Sequence, residues 1–267
     1  MVDRPPFGWP NAAGLALILL GMATSPELRA EGASPRSTSM IPMASRQGQD
    51  LLLKPSTLRA DYGPLVQWYE TQANLAYCGV ASAVMLLNSL GVAAPTAPGF
   101  GAYRFWTQTN LFTPASSGLY VQAGRVAREG MSLEQLHGLL ASTGATVRRY
   151  HGEHLTLQQF RWLLQRGLGD GSDRLLANYD RKLLGQKGGG HISPLGAYEP
   201  RQDRVLILDV ARYRYPAVWV TTADLWRSIR TVDSSSGVSR GVVVVSSSPG
   251  SSATAEPRAE PAATLAP

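Results

Sequence analysis

Residues 188–209 read GGGHISPLGAYEPRQDRVLILD. Two apolar runs, 191–198 and 204–209, flank the turn-forming EPRQD, the pattern of an antiparallel hairpin. With the loop centred on Pro200, His191 faces Asp209 on one side of the sheet, Cβ atoms ~5 Å apart. A centre one or two residues later leaves the two diagonal. Val205-Leu206-Ile207-Leu208 ends on a carboxylate, which is costly to bury without a partner. His191 is that partner. A carboxylate held against an imidazole fixes its tautomer and stabilises its cation, the orienting role of a nucleophilic triad. Such a pair can equally serve only to tie a hairpin together.

Outward from this hairpin, LLANY (175–179) and RGVVVVS (240–246) are further short apolar runs bounded by turn residues, and read as strands. Upstream the character is helical. CGVASAVMLLNSL (78–90) is apolar nearly all round and is followed by Gly91, which predicts a buried helix with a glycine at its C-terminal end. Ser132-Leu-Glu-Gln135 and Thr156-Leu-Gln-Gln159 are capping-box patterns opening two more helices. Helices first and strands after predict an α+β fold, with the buried helix in its N-terminal part and an antiparallel sheet in its C-terminal part.

The 267 residues, 44% apolar and 16% charged, are enough for one well-buried domain. The formal charge of +6 comes from scattered Arg and Lys rather than a basic run. It biases the protein toward anionic small molecules and against nucleic acid. Residues 1–30 read as a cleaved secretory signal: Arg4, the apolar stretch 12–23 and a small residue at Ala30. That stretch is shorter than the ~20 residues a membrane span needs. The expected location is periplasmic or secreted, with no membrane span after cleavage. Residues 31–50 read as a flexible N-terminal arm and 51–246 as the catalytic domain. Residues 247–267, rich in Ser, Ala and Pro, read as a disordered tail.

Cys78 is the only cysteine. An exported chain with one cysteine has no internal disulfide, so the thiol is either core filler or a reagent. It opens the buried helix, where the macrodipole lowers a thiol's pKa. Gly79 beside it permits close approach of a substrate backbone. Gln72 stands six residues earlier, and its amide suits an oxyanion hole shared with the Cys78 N–H. Cys78, His191, Asp209 and Gln72 together are the parts of a cysteine acyl-transfer site.

Gln72 with AYCGVAS, NYDRKLLGQKGGGHISPLGAY, LDVARYRYPAVWV and VDSSSGVSRG resemble the phytochelatin synthase family over about residues 51–246. The resemblance implies a papain-like cysteine peptidase fold. It also implies transfer of the γ-Glu-Cys unit of glutathione, with release of glycine, through an acyl-enzyme on Cys78. His191 is then base and acid, Asp209 the orienter and Gln72 the oxyanion donor. Asp233 and Arg240 match positions that recognise the free amino-acid end of the γ-glutamyl group, with Gly190, Asn178, Tyr179 and Arg181 lining the cleft. No intrinsic cofactor or metal is implied; heavy-metal ions enter as glutathione thiolates that modulate activity and link the reaction to metal detoxification. The Cys-to-His spacing of 113 residues is shorter than papain's ~130–150, and the third member is Asp where papain has Asn. The family's longer members carry a Cys-rich C-terminal region. Its absence here resembles the short bacterial form, for which hydrolysis of glutathione or its conjugates outweighs chain extension.

Two other readings use the same residues. A papain-like envelope peptidase would also need Gln, Cys-Gly, His and Asp, but has no use for the pair Asp233 and Arg240. A non-catalytic thiol- or metal-binding protein is disfavoured by one Cys and four dispersed His (His137, His151, His154, His191). His151 and His154 are expected to face solvent. The loop 94–112 is expected either to cover the site or to meet a second subunit of a homodimer, with Phe105 and Trp106 as alternative core residues.

Overall fold

Four consecutive valines, Val242–Val245, show how the molecule is layered. In the computed structural model, which describes residues 40–113 and 121–247, Val243 and Val245 point into one core cluster and Val242 and Val244 into another. A strand with helices on both faces has no solvent side, so its sequence is a continuous apolar run. Each valine fully buried in this way contributes about 1.5 kcal/mol or more. Seven strands make this sheet: β1 (Ile41–Pro42), β2 (Thr146–His151), β3 (Asp173–Asp180), β4 (Gly190–Glu199), β5 (Arg204–Ile207), β6 (Val218–Thr221) and β7 (Gly241–Ser246). Their order is β1-β6-β5-β4-β3-β7-β2, every neighbouring pair antiparallel.

One face is covered by α1 (Arg46–Leu53), α2 (Tyr62–Gln67), α3 (Cys78–Ser89), α4 (Ala123–Glu129) and α5 (Leu133–Ala141). The other is covered by α6 (Leu157–Gly169) and α7 (Thr222–Ile229). Helix α3 is the centre of the first layer, with Val80, Ala81, Ala83, Val84, Met85, Leu86 and Leu87 all fully buried. It ends at Leu90, followed by Gly91 at φ 65°, the left-handed conformation that glycine adopts at least cost. Both capping boxes form as their spacing predicts, Ser132 with Gln135 and Thr156 with Gln159.

The α+β expectation holds, but its order is not strictly helices before strands. β2 comes from the helical half and forms a sheet edge, and α7 lies within the strand half. Residues 40–50 of the arm are also built into the fold. Ile41 pairs with Trp219, Ser45 caps α1 by accepting from the Gly48 N–H, and the Trp219 indole donates to the Gly48 carbonyl at 3.0 Å. The two Trp219 contacts come from a strand far along the chain, which local composition does not register. The signal segment 1–30, the rest of the arm and the tail beyond Ser247 lie outside the described residues. Among the described residues no helix is long and apolar enough to cross a membrane.

Candidate active site

Cys78 is the first residue of α3 and is buried. The helix is held to the sheet at this end by Ser82, whose hydroxyl donates to the Ile192 carbonyl at 3.1 Å. That seam is tight: a Cβ on Gly79 would lie 3.0 Å from the Met131 side chain and 3.1 Å from Ile192. The glycine therefore serves the packing of α3 on β4 and the Met131 side chain. The result is a thiol beside His191, the second residue of β4. Burial opposes ionisation of the thiol, but the His191 charge, its hydrogen bond and the backbone groups of Ile192 and Gly79 outweigh that and lower the pKa of Cys78. His191 moves the other way. Burial disfavours the imidazolium, while the Cys78 charge and hydrogen bonds to Asp209 and Cys78 favour it more, so its pKa is raised. Each shift favours the charged form of its group, thiolate on Cys78 and imidazolium on His191.

His191 Nε2 lies 2.9 Å from Asp209 Oδ1. With Nε2 taken, the ring meets the thiol through Nδ1, which fixes the tautomer. The register that allows this differs from a hairpin centred on Pro200. Glu199 pairs with Arg204, Tyr198 with Val205 and Ala197 with Leu206, so the turn is centred between Arg201 and Gln202. Continued unchanged, that register would place His191 and Asp209 on opposite faces of the sheet. A bulge at Gly196 intervenes. Beyond it Leu195 pairs with Ile207, and the Leu208 N–H donates to the Pro194 carbonyl at 2.9 Å. The inserted residue returns His191 and Asp209 to one face, displaced diagonally rather than directly opposed.

Asp209 is fully buried, and more than the histidine compensates it. Arg181, in the 3₁₀ turn after β3, grips it with two hydrogen bonds of 2.7 and 2.9 Å, and the Ala211 N–H donates to Oδ1 at 2.9 Å. Burial alone would raise its pKa; the bonds from His191 and Arg181 and their charges hold it well below the usual carboxylate range. Arg181 is itself held by Gln186 and stacks over Tyr215, its Cζ 4.6 Å from the ring centroid. The Asp209–Val210 backbone is anchored from the helical half. The Tyr69 hydroxyl donates to the Asp209 carbonyl at 2.7 Å, and the Gln72 N–H to that of Val210 at 3.0 Å.

A cleft of about 580 Å³ opens over the thiol. Cys78, His191, Gly190, Asn178, Asp233 and Arg240 all line it. Arg240 bonds Asn178 Oδ1 at 3.1 Å and Asp233 Oδ2 at 3.3 Å, and its guanidinium packs where a Cβ on Gly190 would be, 2.3 Å from Nη1. These three polar side chains are buried, yet Arg240 Nε and Asn178 Nδ2 have no hydrogen-bond partner among the described residues. Two donors are thus left without an acceptor beneath the cleft surface.

Not every predicted site residue reaches the cleft. Tyr179 and Arg181 do not line it; they are packed beneath it, Tyr179 edge-on against the His191 ring at 5.7 Å and Arg181 on Asp209. Period-two alternation along β3 explains this, since Asn178 and Tyr179 must face opposite sides. Gln72 is buried outside the cleft lining, its amide donating to the Asn74 carbonyl at 2.7 Å and its Oε1 without a partner among the described residues. His151 is half-buried, not solvent-facing, its Nδ1 2.7 Å from the Ser239 carbonyl. Trp106 is core and donates to the Val92 carbonyl, and no residue of the loop 94–112 lines the cleft. Sequence reasoning missed part of the lining: Leu75, Ala76 and residues 127–131 at and just beyond the end of α4. Arg128 and Glu129 look like ordinary surface charges of a short helix, and nothing in their spacing marks them. Among the described residues no cluster of three or more His, Cys, Asp or Glu is placed to hold a metal ion.

A family model described as phytochelatin synthase matches residues 33–242. The chain is 32% identical over 213 residues to glutathione gamma-glutamylcysteinyltransferase 1 of Lotus japonicus, covering 79% of this chain and 41% of that protein. Against glutathione gamma-glutamylcysteinyltransferase 2 of Arabidopsis thaliana the identity is 32% over 213 residues, 79% of this chain and 45% of that one. The glutathione gamma-glutamylcysteinyltransferase of Schizosaccharomyces pombe is 30% identical over 203 residues, covering 75% and 47%. The chain thus spans less than half the length of these curated relatives. A family model over most of the chain, together with relatives at this identity, establishes that the chain belongs to the phytochelatin synthase family.

Proposed function

We propose that this protein is a papain-like cysteine acyltransferase that cleaves glutathione between cysteine and glycine. The observation that carries this reading is the contact of the buried Cys78 thiol with an imidazole whose Nε2 is 2.9 Å from Asp209, on the floor of a cleft lined by Arg240 and Asp233. In the first half-reaction the Cys78 thiolate attacks the carbonyl carbon of the substrate's cysteine. The resulting oxyanion is met by the Cys78 N–H, left free by its place in the first turn of α3, and by Gln72 once its amide releases the Asn74 carbonyl. His191 gives its Nδ1 proton to the glycine nitrogen, the C–N bond breaks and glycine leaves. A γ-Glu-Cys thioester remains on Cys78.

In the second half-reaction His191 takes a proton from water, the hydroxyl adds to the thioester, and the thiolate departs with γ-Glu-Cys freed as a carboxylate. A second glutathione offering its amino group gives the longer phytochelatin instead. Asp209 stays ionised throughout, because Arg181 and His191 stabilise its charge. The γ-glutamyl end carries an ammonium and a carboxylate, which complement Asp233 and Arg240. Heavy-metal ions enter as glutathione thiolates. With residues 1–30 as an export signal, exported glutathione or its conjugates are the substrates, and water is the usual acceptor.

Incubation of the purified mature protein with glutathione, followed by mass spectrometry of products and intact protein, tests the reading. Glycine, γ-Glu-Cys and a γ-Glu-Cys adduct on Cys78 are expected. Intact glutathione together with cleavage of unrelated peptides would replace this proposal with an envelope peptidase.

A further inference from the structure

The loop after β5 folds back on itself as soon as it has supplied Asp209. The Ala211 N–H donates to Asp209 Oδ1 at 2.9 Å, and the Arg214 and Tyr215 N–H groups donate to the Ala211 carbonyl at 2.8 and 3.0 Å. This turn has a carboxylate at its start and a phenol ring at its end, and Arg181 meets both. Its Nη1 and Nη2 donate to Asp209 at 2.7 and 2.9 Å, and its Cζ lies 4.6 Å from the Tyr215 ring centroid. The Tyr215 hydroxyl works elsewhere. It accepts from the Lys187 N–H at 2.8 Å and donates to the Lys187 carbonyl at 3.0 Å, which ties down the loop leading into β4 and His191. That loop passes close to the arginine. Gln186 accepts from Nη1, the Arg181 N–H donates to the Gly189 carbonyl at 3.0 Å, and a Cβ on Gly188 would lie 3.2 Å from Arg181 Cδ.

From this arrangement we infer that Tyr215 is a positioning residue for the His191–Asp209 pair and acts through Arg181. The inference rests on the function proposed above. Neither Tyr215 nor Arg181 lines the cleft, so Tyr215 influences turnover only by way of the groups it holds. Arg181 is a long side chain with rotamer freedom to lose, and the half-buried ring stacked on its buried guanidinium removes that freedom. A fixed guanidinium fixes both Asp209 oxygens, and with them the Oδ1 that faces His191 Nε2. His191 is met by Asp209 from the β5 loop, by Cys78 from α3 and by the Tyr179 ring from β3. Arg181 bears on it through Asp209, and the Cζ of Arg214 lies 5.3 Å from the same Tyr215 ring. Loosening Arg181 leaves the Asp209 charge less compensated, so the imidazolium becomes easier to keep.

The test is the pH profile of kcat/KM for glutathione in the full-length mature protein, in Tyr215→Leu and Tyr215→Phe, and in Tyr215→Leu combined with Arg181→Lys. Tyr215→Leu should move the alkaline limit upward by about half a pH unit, the size of one cation–π contact. Tyr215→Phe keeps the ring and should restore most of the wild-type limit. In the Arg181→Lys background, Tyr215→Leu should move the limit much less, because lysine lacks the planar group that stacks. A lowered melting temperature with an unmoved limit in Tyr215→Leu overturns the inference, leaving Tyr215 a folding residue and glutathione cleavage standing. So does a shift in Tyr215→Phe as large as in Tyr215→Leu, or an equal shift in both backgrounds. Failure of the wild type to cleave glutathione at all overturns the underlying reading, and this inference with it.

Discussion

The Asp209 cluster and the Arg240 cluster are both buried, both built on an Arg–Asp pair, and sit on either side of the sheet end that carries His191, yet they are finished differently. Around Asp209 both carboxylate oxygens are used, by His191, Arg181 and a backbone N–H. Around Arg240 one guanidinium nitrogen and the Asn178 amide nitrogen have no hydrogen-bond partner among the described residues. A saturated buried network is rigid and holds its members in one arrangement. An unsaturated one costs free energy in the empty protein and returns it when a ligand supplies the missing acceptors. The first suits a positioning device and the second a recognition device. Arg181, although polar and beside the site, is not in the cleft: both of its terminal nitrogens are directed inward, to Asp209 and Gln186.

The strongest way to break this division is to remove the group both clusters serve. Cys78→Ser should lower glutathione turnover by about 10⁴-fold or more with little change in melting temperature, since the replacement is nearly isosteric. Residual turnover within tenfold of wild type would mean the thiol is not the nucleophile. Next, Arg240→Met should reduce kcat/KM for glutathione by about 100-fold, while iodoacetamide still alkylates Cys78 at close to the wild-type rate. Slowed alkylation would show that the two clusters are coupled and not separate.

Arg181→Lys keeps a cation near Asp209 but loses the two-pronged grip. Glutathione turnover should appear as pH rises through the lowered pKa of Cys78 and fall away as His191 loses, at its raised pKa, the proton it gives the leaving glycine. With the second cation held more loosely, the imidazolium should become easier to keep, and the alkaline limit should move upward. A profile of kcat/KM for glutathione against pH measures this, and an unmoved limit would assign Arg181 to folding alone.

The smallest effect is expected away from both clusters. Asp61 is buried against Arg174 at 2.9 Å, yet burial outweighs that charge and pushes its pKa up to about 7. Between the ordinary carboxylate value and about 7 the folded chain holds a proton that the unfolded chain has released. Stability from this residue is therefore lost as pH rises through that window. Asp61→Asn should flatten the decline in melting temperature between pH 5 and pH 7.5 by a few degrees. An unchanged slope would mean the ion pair keeps Asp61 charged.

Much of this molecule was legible in its sequence where the signal is local. The all-round apolar run after Cys78, the Gly91 stop, both capping boxes and the valine run of β7 report their own structure, because propensity, capping and burial act over a few residues. The pairing of His191 with Asp209 was legible in outline, but the device that achieves it was not. A turn shifted from Pro200 and a bulge at Gly196 compensate each other, and each is decided by packing on the two faces of the sheet rather than by turn chemistry. Distant partners were invisible for the same reason. The arm's strand Ile41–Pro42 depends on β6, the burial of Arg181 depends on Asp209, and the cleft lining at residues 127–131 depends on α4 docking against Ala76 and Gly79. The sequence by itself determined the central catalytic candidates and the elements whose signal is local, such as α3, the two capped helices and β7. Only the tertiary structure decided which buried polar groups are saturated and which are left short of partners, because that depends on contacts between elements far apart in the chain.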